Sequence, residues 1–313
     1  GKFRSGRKPP ALSLLFLLGK IIEEDNNRMS KIAIVTDSNS GISQKEAKEM
    51  GIFVLPMPFL INGKEYLDGV DLLPEQFYEF LKEDADVATS QPSPDSVMKL
   101  WEEVLKEYDE IVHIPMSSGL SGSCQTAMML ADDYDGKVQV VNNQRVSITQ
   151  IASIADAQKL IAAGKTAAEV KEVLEKEALQ SSIYVTVTTL KYLKKGGRIS
   201  KTTALAGGLL SIKPVIGICD GEVTVLGKAR GSKQSNNMLM QMIRDNGGVD
   251  FSRPIRLGYT GLDDALLRQY VEDSRELLHN DLQGIGVSMV GSAIGTHVGP
   301  GAVAVAFFVQ HHS

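Results

Sequence analysis

The sequence has few of the features that mark disulfide scaffolds, metal proteins or nucleotide-binding domains. Its 313 residues include only two cysteines, Cys124 and Cys219, which stand far apart and in no CxxC spacing. A disulfide framework and a zinc site are therefore not indicated, and this cysteine usage favours a reducing, cytoplasmic environment. The patterns GxxxxGK followed by Ser or Thr, and GxGxxG, are both absent, so the usual nucleotide-binding loops are missing.

Net charge disfavours general binding to nucleic acids. The chain has a formal charge of −5, but residues 1–28 hold six basic against three acidic side chains, so the remaining residues carry −8. Binding to a phosphate backbone needs a basic face, which an acidic body does not supply. Hydrophobic residues make up 43% of the chain, and this content at this length suffices for two globular domains with proper cores.

The first 28 residues differ from the rest. A basic start is followed by the apolar run from Ala11 to Leu18, which has the charge order of a signal peptide but no small-residue cleavage site after it. The run is also too short to span a bilayer as a helix. Because Met29 leads directly into a strand-like segment, we expect residues 1–29 to be a non-native or disordered leader, with secretion as the alternative.

Strand-like apolar runs then alternate with helix-like segments, which predicts an α/β fold with a parallel, doubly wound sheet. Ser43 and Thr166 begin capping-box patterns, and Asn62-Gly63 and Asp220-Gly221 are typical of hairpin turns. The pattern restarts after about residue 180 with paired strands, which indicates a second, mixed α/β sheet. We therefore predict an N-terminal α/β domain over residues 30–180 and a C-terminal α/β domain over residues 181–310.

Polar, glycine-containing loops follow several of the strand-like runs and carry hydroxyls, backbone N–H groups, one fixed cation and one histidine. A carboxylate or phosphate needs several such donors converging on one point, and glycine lets the backbone come close to it. Because ligands bind at the carboxyl ends of strands in such sheets, the loops predict an oxyanion pocket. They are Thr89–Ser93 (TSQPS), Ser117–Ser123 (SSGLSGS), Gly196–Ser200 (GGRIS) and Gly295–Gly301 (GTHVGPG).

Each of these loops also has a purely structural interpretation. Ser93, which precedes a proline, fits a helix cap, and Ser121 fits the cap of the following helix. Thr89 and Ser90 are different, because they stand at a strand end with side chains free to bind a ligand. Asp37 closes the first strand, where a ligand contact and a helix cap are equally compatible with the sequence.

Arg198 and His297 carry the most specific chemistry in these loops. A guanidinium stays charged and can hold an oxyanion by two bonds, whereas the neighbouring Lys191, Lys194 and Lys195 are better explained as a solvated basic turn. His297 is expected in a glycine-rich turn that faces the cleft. A hydrogen bond to a ligand is favoured over proton transfer because no acidic residue stands beside this histidine, and a structural histidine bonded to backbone is the alternative.

The four loops in this order, together with IVTDS at Ile34–Ser38, resemble the DegV family of bacterial fatty-acid-binding proteins over about residues 31–308. The resemblance implies two α/β domains, with an acyl chain buried in the second domain and the interdomain region and its carboxylate at the domain cleft. It implies a non-enzymatic lipid carrier whose ligand is a long-chain fatty acid, palmitate- or oleate-like, with no cofactor and no metal. The head-group residues that it implies are Thr89, Ser90, Ser118, Ser121, Arg198 and His297.

In that family, the carrier presents its fatty acid to a separate ATP-dependent fatty acid kinase subunit, which forms acyl phosphate for phospholipid metabolism. The resemblance therefore implies this kinase as a protein partner, transient contact with a membrane, and no nucleic acid. The alternative is a phosphotransfer enzyme domain related to dihydroxyacetone kinases, which hold their substrate through a histidine. The missing nucleotide loops disfavour that alternative, and the charge of −8 outside the leader disfavours regulatory DNA binding.

Overall fold

The computed structural model describes residues 30–199, 212–277 and 285–309, and the expected leader of residues 1–29 lies outside them. No helix within these ranges is both long enough and apolar enough to cross a membrane. The strands are β1 (Ile32–Asp37), β2 (Phe53–Leu55), β3 (Pro58–Ile61), β4 (Lys64–Leu67), β5 (Val87–Thr89), β6 (Glu110–Ile114), β7 (Val138–Val140), β8 (Ser181–Thr186), β9 (Ile212–Cys219), β10 (Glu222–Arg230), β11 (Arg256–Tyr259), β12 (Gly286–Met289) and β13 (Val303–Phe308).

Helices alternate with these strands over most of the described residues. Short 3-10 turns also occur at Ser38–Ser40, Asp132–Tyr134 and Ala178–Gln180. The helices are α1 (Gln44–Met50), α2 (Pro74–Lys82), α3 (Pro94–Val104), α4 (Ser123–Ala131), α5 (Ile148–Ala162), α6 (Ala167–Lys176), α7 (Lys191–Lys195), α8 (Gly231–Asp245), α9 (Ala265–Asp273) and α10 (Ser292–Val298).

Local sequence signals account for where several elements begin and turn. Ser43 and Thr166 each form a capping box with the glutamate three residues later, at the starts of α1 and α6. Asn62 and Gly63 adopt positive φ angles of 50° and 80°, as the tight hairpin between β3 and β4 requires. These caps and this hairpin lie where the sequence predicts them.

The strands of the described residues form three sheets. One is parallel throughout, in the order β2-β1-β6-β7, and a second is mixed, in the order β10-β9-β8-β13-β11-β12. The predicted fold class, a parallel sheet followed by a mixed α/β sheet, is therefore confirmed. The remaining strands form a small antiparallel sheet, β4-β3-β5, so β5 with its TSQPS loop leaves the parallel sheet and pairs with β3.

Helix α5 joins the two large sheets through one hydrophobic core. Its buried face, which includes Ile151 and Ile154, belongs to a cluster that contains Ile34 of the parallel sheet and Ile183 of the mixed sheet. Apolar contacts of this kind hold the sheets at fixed positions relative to each other. The boundary near residue 180 stays a prediction, because this core draws on residues from both sides of it.

His297 lies in a helix and not in the glycine-rich turn that the sequence predicts. It occupies the last turn of α10. This helix is preceded by its N-cap residue Gly291 and followed by its C-cap residue Gly299, which has a φ of 76°. Gly295 indicates a turn by its low helix propensity, but here it permits close packing, because a Cβ at this position would lie 2.6 Å from the Tyr78 hydroxyl. Tertiary packing against α2 therefore overrides the local signal.

His113 is a buried histidine in β6. It is 2% exposed, packs edge-on against Trp101 with ring centroids 5.5 Å apart, and both ring nitrogens lack a hydrogen-bond partner among the described residues. Burial lowers the pKa of His113 to about 3. The folded protein therefore keeps this ring neutral at pH values where the unfolded chain protonates it.

We expect His113→Phe to reduce the acid sensitivity of the fold. Below the ordinary histidine pKa of about 6.5, the unfolded state binds a proton at His113 that the folded state does not bind. This group alone therefore lowers the free energy of unfolding of the wild type by about 1.4 kcal/mol per pH unit as the pH drops toward 3. The variant lacks this loss and keeps a ring of similar size. Urea denaturation of both proteins across this pH range measures the difference, and parallel stability curves would contradict it.

Candidate functional site

A cavity lies between one face of the mixed sheet and the loops that follow β5 and β6. The space within its lining, including the open mouth, is about 930 Å³. Sixteen of its 26 lining residues are Ile, Val, Leu, Met or Ala, among them Ile183 and Val185 of β8 and Ile216 of β9. Met116 and Val146 line it from the opposite side. The cavity is therefore suited to an extended apolar ligand.

Polar side chains from distant parts of the sequence meet at this cavity. Thr89 Oγ1 and His297 Nε2 are 2.7 Å apart across 208 residues of chain, and the guanidinium of Arg198 bonds the carbonyl next to Ser121. We call this set the polar cluster, and five of the six sequence-predicted head-group residues form it. Its members are Thr89, Ser90, Ser121, Arg198 and His297, all of which line the cavity.

Arg198 is held by neutral groups. Its Nε donates to the Leu120 carbonyl at 3.3 Å, and its Nη1 donates to the Gly196 carbonyl at 2.6 Å. Within the described parts of the chain, no carboxylate forms an ion pair with it. Carbonyl oxygens orient a guanidinium without cancelling its charge, so no group in the described part of the chain neutralises Arg198 at the cavity.

The lysines of α7 behave differently from Arg198. Lys191 lies 3.4 Å from Asp84, and Lys195 pairs with Asp86, with all four side chains largely exposed. Lys194 is also exposed. Exposed pairs of this kind contribute little to stability. The interpretation of these lysines as a solvated basic turn is confirmed.

His297 is a neutral hydrogen-bonding group. Burial, and then the positive charge of Arg198, lower the pKa of His297 to about 4. The imidazole is therefore uncharged near neutral pH, with Nε2 against the Thr89 hydroxyl and Nδ1 without a partner among the described residues. No acidic side chain is bonded to the ring in these residues, so the arrangement offers a hydrogen bond rather than a proton relay.

The first glycine of the GGRIS loop makes room for this histidine. A Cβ on Gly196 would overlap the imidazole, lying 2.6 Å from Cε1 of His297. The second glycine serves the backbone instead, because Gly197 has a φ of 69° and a Cβ on it would meet nothing within 4 Å. The two adjacent glycines therefore have different roles, close approach and left-handed backbone.

Asp68 positions the helix that carries His297, and sequence inspection missed it. Its carboxylate accepts from Ser292 N at 3.3 Å, at the start of α10, and from Ser38 Oγ at 3.0 Å. A negative group at a helix N-terminus is favourable, although burial raises the pKa of Asp68. Just before α10, the Val290 carbonyl accepts from the Tyr78 hydroxyl at 2.8 Å. Asp68 and Tyr78 together fix where α10 begins.

Two other sequence candidates lie outside the polar cluster. Ser118 is not among the described residues that line the cavity, and its Oγ accepts from Asn142 Nδ2 at 2.9 Å. Asp37 is fully buried, where its carboxylate caps the 3-10 turn and accepts from Met116 N at 2.8 Å. Burial raises the pKa of Asp37. Asp37 thus orders the backbone beneath the serine loop.

The serine loop leads into α4 through a turn in which Ser121 bonds to the backbone. Gly122, and not Ser121, is the N-cap residue of α4, and no side chain caps this helix. The Ser121 hydroxyl accepts from Ser123 N at 3.2 Å, and its own proton has no acceptor among the described residues. Ser121 thus caps the turn that leads into α4, as its structural interpretation predicts, although the N-cap position of the helix itself is Gly122.

We expect Gly196→Ala to destabilise the fold through His297. Inserting a methyl group into this contact should cost about 1–3 kcal/mol, and most of that cost should vanish when His297→Ala is added. The matched control is Gly197→Ala, which should cost about 1–2 kcal/mol of backbone strain whether or not the imidazole is present. Free energies of unfolding for the two double-mutant cycles measure this, and equal costs of Gly196→Ala in both backgrounds would contradict it.

Comparisons with known proteins agree with this geometry. The profile of the family described as "Uncharacterised protein, DegV family" matches residues 31–310. A DegV domain-containing protein of Caldanaerobacter subterraneus subsp. tengcongensis is 33% identical over 296 residues, covering 89% of this chain and 99% of its own.

A DegV family protein of Thermus thermophilus, whose structure is described as showing fatty acid binding, has a TM-score of 0.79 and 30% identity, covering 90% of this chain and all of its own. DegV of Bacillus subtilis, described as a fatty acid binding protein, has a TM-score of 0.74, 25% identity and the same coverage. The chain therefore belongs to the DegV family.

Proposed function

We propose that the chain is a fatty-acid carrier that buries a long acyl tail in its cavity and holds the carboxylate at the polar cluster. The observation that carries this proposal is the guanidinium of Arg198, which no carboxylate of the described residues neutralises, at the wall of a mainly aliphatic cavity. A ligand with one anionic end and a long apolar remainder satisfies both features at once. The relatives from Thermus thermophilus and Bacillus subtilis, described as fatty-acid-binding, support the same ligand class.

The cavity wall supplies the driving force and the polar cluster supplies orientation. Burial of methylene groups contributes about 0.8 kcal/mol each, so a tail of palmitate length has a gross driving force on the order of 10 kcal/mol. The cluster adds donors that suit a carboxylate: the charged guanidinium, the Thr89, Ser90 and Ser121 hydroxyls, and the neutral His297 imidazole. Ser118, now bonded to Asn142, stays a predicted contact.

We further propose that a separate ATP-dependent kinase subunit phosphorylates the bound carboxylate to form acyl phosphate. The chain lacks the common nucleotide-binding patterns, so the phosphoryl donor has to come from a partner. A cytoplasmic location, where ATP is available, belongs to this proposal. Acyl phosphates are reactive anhydrides, and a water-poor cavity would slow their hydrolysis.

Protein purified from a bacterial host should carry one equivalent of long-chain fatty acid. Such a ligand should survive purification because of the apolar area that it buries. Denaturation, organic extraction and mass spectrometry measure the bound lipid, and delipidated protein should take up added palmitate or oleate. Several preparations that contain no fatty acid and take up none would contradict the carrier proposal.

Arg198→Ala should weaken head-group retention and phosphoryl transfer more than His297→Ala does. A charge-assisted contact contributes about 1.5–3 kcal/mol, whereas a neutral imidazole contributes one ordinary hydrogen bond of about 1 kcal/mol. Arg198→Lys is the matched control, since it keeps the charge and loses the two-bond geometry, and it should fall between wild type and Arg198→Ala.

The assays are competition for a labelled fatty acid and transfer rates with a fatty acid kinase subunit and ATP. Thermal melts establish first that each variant folds. If Arg198→Ala folds normally and equals wild type in both assays, the carboxylate does not lie beside Arg198.

A further inference from the structure

A second, smaller cavity lies between the start of α5 and one face of the mixed sheet. The space within its lining, including the open mouth, is about 220 Å³, and none of its lining residues lines the larger cavity. Six of its nine lining residues are apolar, but the wall also contains Arg256 and Ser181. Arg256 Nε and Ser181 Oγ are buried atoms without a hydrogen-bond partner among the described residues. Buried polar atoms are nearly always paired, so these two indicate a ligand.

The strand register places both side chains on the face of the sheet that borders this cavity. Arg256 of β11 lies opposite Ala306 of β13, and Ser181 of β8 lies opposite Phe308 of the same strand. Opposed residues share a face of the sheet, and so do residues two positions apart, so all four side chains point the same way. Ala306 has a short side chain and leaves space above β13. Arg256 and Ser181 therefore approach the cavity from the two strands that flank β13.

Arg256 is a partly buried cation without a counter-charge in the part of the chain that the structure describes. None of the ion pairs found there includes it. Burial lowers the pKa of Arg256, and no acid of these residues offsets that effect. The fold makes room for the guanidinium at the edge strand β12, because a Cβ on Gly286 would lie 3.0 Å from Nη1. The cation is therefore accommodated by shape and not by charge.

Two further arginines contact Phe308, whose ring belongs to the cavity wall. The guanidiniums of Arg253 and Arg145 lie 4.0 Å and 5.4 Å from the ring centroid. Asp156 pairs with Arg253, whereas Arg145 donates to one hydroxyl and two backbone carbonyls. The acids that act on Arg145 are Asp156 and Glu177. With Arg256, three guanidiniums thus share two carboxylates, which leaves an excess of positive charge around the cavity.

The first turn of α5 adds to this preference for negative charge. Ile148 and Thr149 of this turn line the cavity, and the N-cap residue Ser147 forms no side-chain bond to the helix. The N-terminus of a 15-residue helix favours an anion. The helix supports the argument, which the two unpaired buried atoms and the uncompensated cation carry.

We infer that this cavity binds one small inorganic anion of the size of chloride, held by Arg256 Nε and Ser181 Oγ. Both groups can donate to it. Water can also pair with them, but only an anion supplies the counter-charge that Arg256 lacks among the described residues. The small, mainly apolar wall offers no further side chains for a larger, more polar acid. The bound anion would stabilise the packing of α5 on the mixed sheet, independently of the proposed carrier function.

The test is thermal unfolding of the full chain at fixed ionic strength, with chloride replaced stepwise by the larger anion gluconate. The melting temperature of the wild type should rise with chloride and saturate, by about 3 °C at a tenfold excess over the dissociation constant. Arg256→Gln should abolish this rise, because the amide has no charge. Ser181→Ala should need roughly fivefold more chloride for half of the rise, the loss expected for one hydrogen bond.

Arg268→Gln is the matched control, because Arg268 is an exposed arginine of α9 that pairs with Asp264, and it should keep the full rise. Crystals soaked in bromide locate the ion, whose anomalous signal should lie within hydrogen-bonding distance of Arg256 Nε and Ser181 Oγ. This measurement also decides the question if Arg256→Gln does not fold. The inference is overturned if chloride leaves the wild-type melting temperature unchanged, if Arg256→Gln keeps the full rise, or if the cavity holds only water in the soaked crystal.

Discussion

The charge of Arg198 lies beside an apolar cavity, where no carboxylate of the described residues neutralises it, and much of the site follows from that constraint. Two backbone carbonyls hold the guanidinium in place and leave its charge intact. The buried acids Asp37 and Asp68 bond instead to backbone N–H groups and a serine hydroxyl. A partly buried cation without a counter-charge is unfavourable, and an anion that binds beside it relieves that cost. For the proposed ligand, this is a source of affinity for the carboxylate end.

The same charge determines how His297 behaves. The nearby charge of Arg198 adds to the effect of burial and lowers the pKa of His297, so the imidazole stays neutral. A neutral ring can accept as well as donate a hydrogen bond. Keeping this ring in place requires a glycine on one side, Gly196, and a helix start fixed by Asp68 on the other. For the proposed ligand, the neutral ring and the Thr89 hydroxyl can exchange donor and acceptor roles, which suits both a carboxylate and the larger acyl phosphate. The ring is thus fixed in position, but its hydrogen bonding is not, because either nitrogen of a neutral imidazole can carry the proton and the other then accepts.

Sequence reasoning succeeded where a residue's role depends on its neighbours in the chain. The capping boxes at Ser43 and Thr166 and the hairpin at Asn62-Gly63 are local, and the hydroxyls, cation and histidine of the polar loops are chemically distinctive. It failed for Asp68, whose partner Ser292 is 224 residues away and whose own surroundings resemble an ordinary turn. It also failed for α10, because Gly295 lowers helix propensity locally while serving a tertiary contact. The cavity wall was equally inaccessible, since alternating apolar strand residues do not reveal which of them face a void.

Head and tail of the proposed ligand place different demands on the chain. The polar cluster needs particular atoms at particular points, so it can be built only from a few residue types in loops and at element ends. The wall needs only apolar groups on one face of the mixed sheet, and Ile, Val, Leu, Met and Ala all satisfy that requirement. A family resemblance carried by loops can therefore persist while wall residues change, and ligand preference is free to vary through the wall. A polar residue in such a wall is the exception, because it costs free energy against every plain acyl chain.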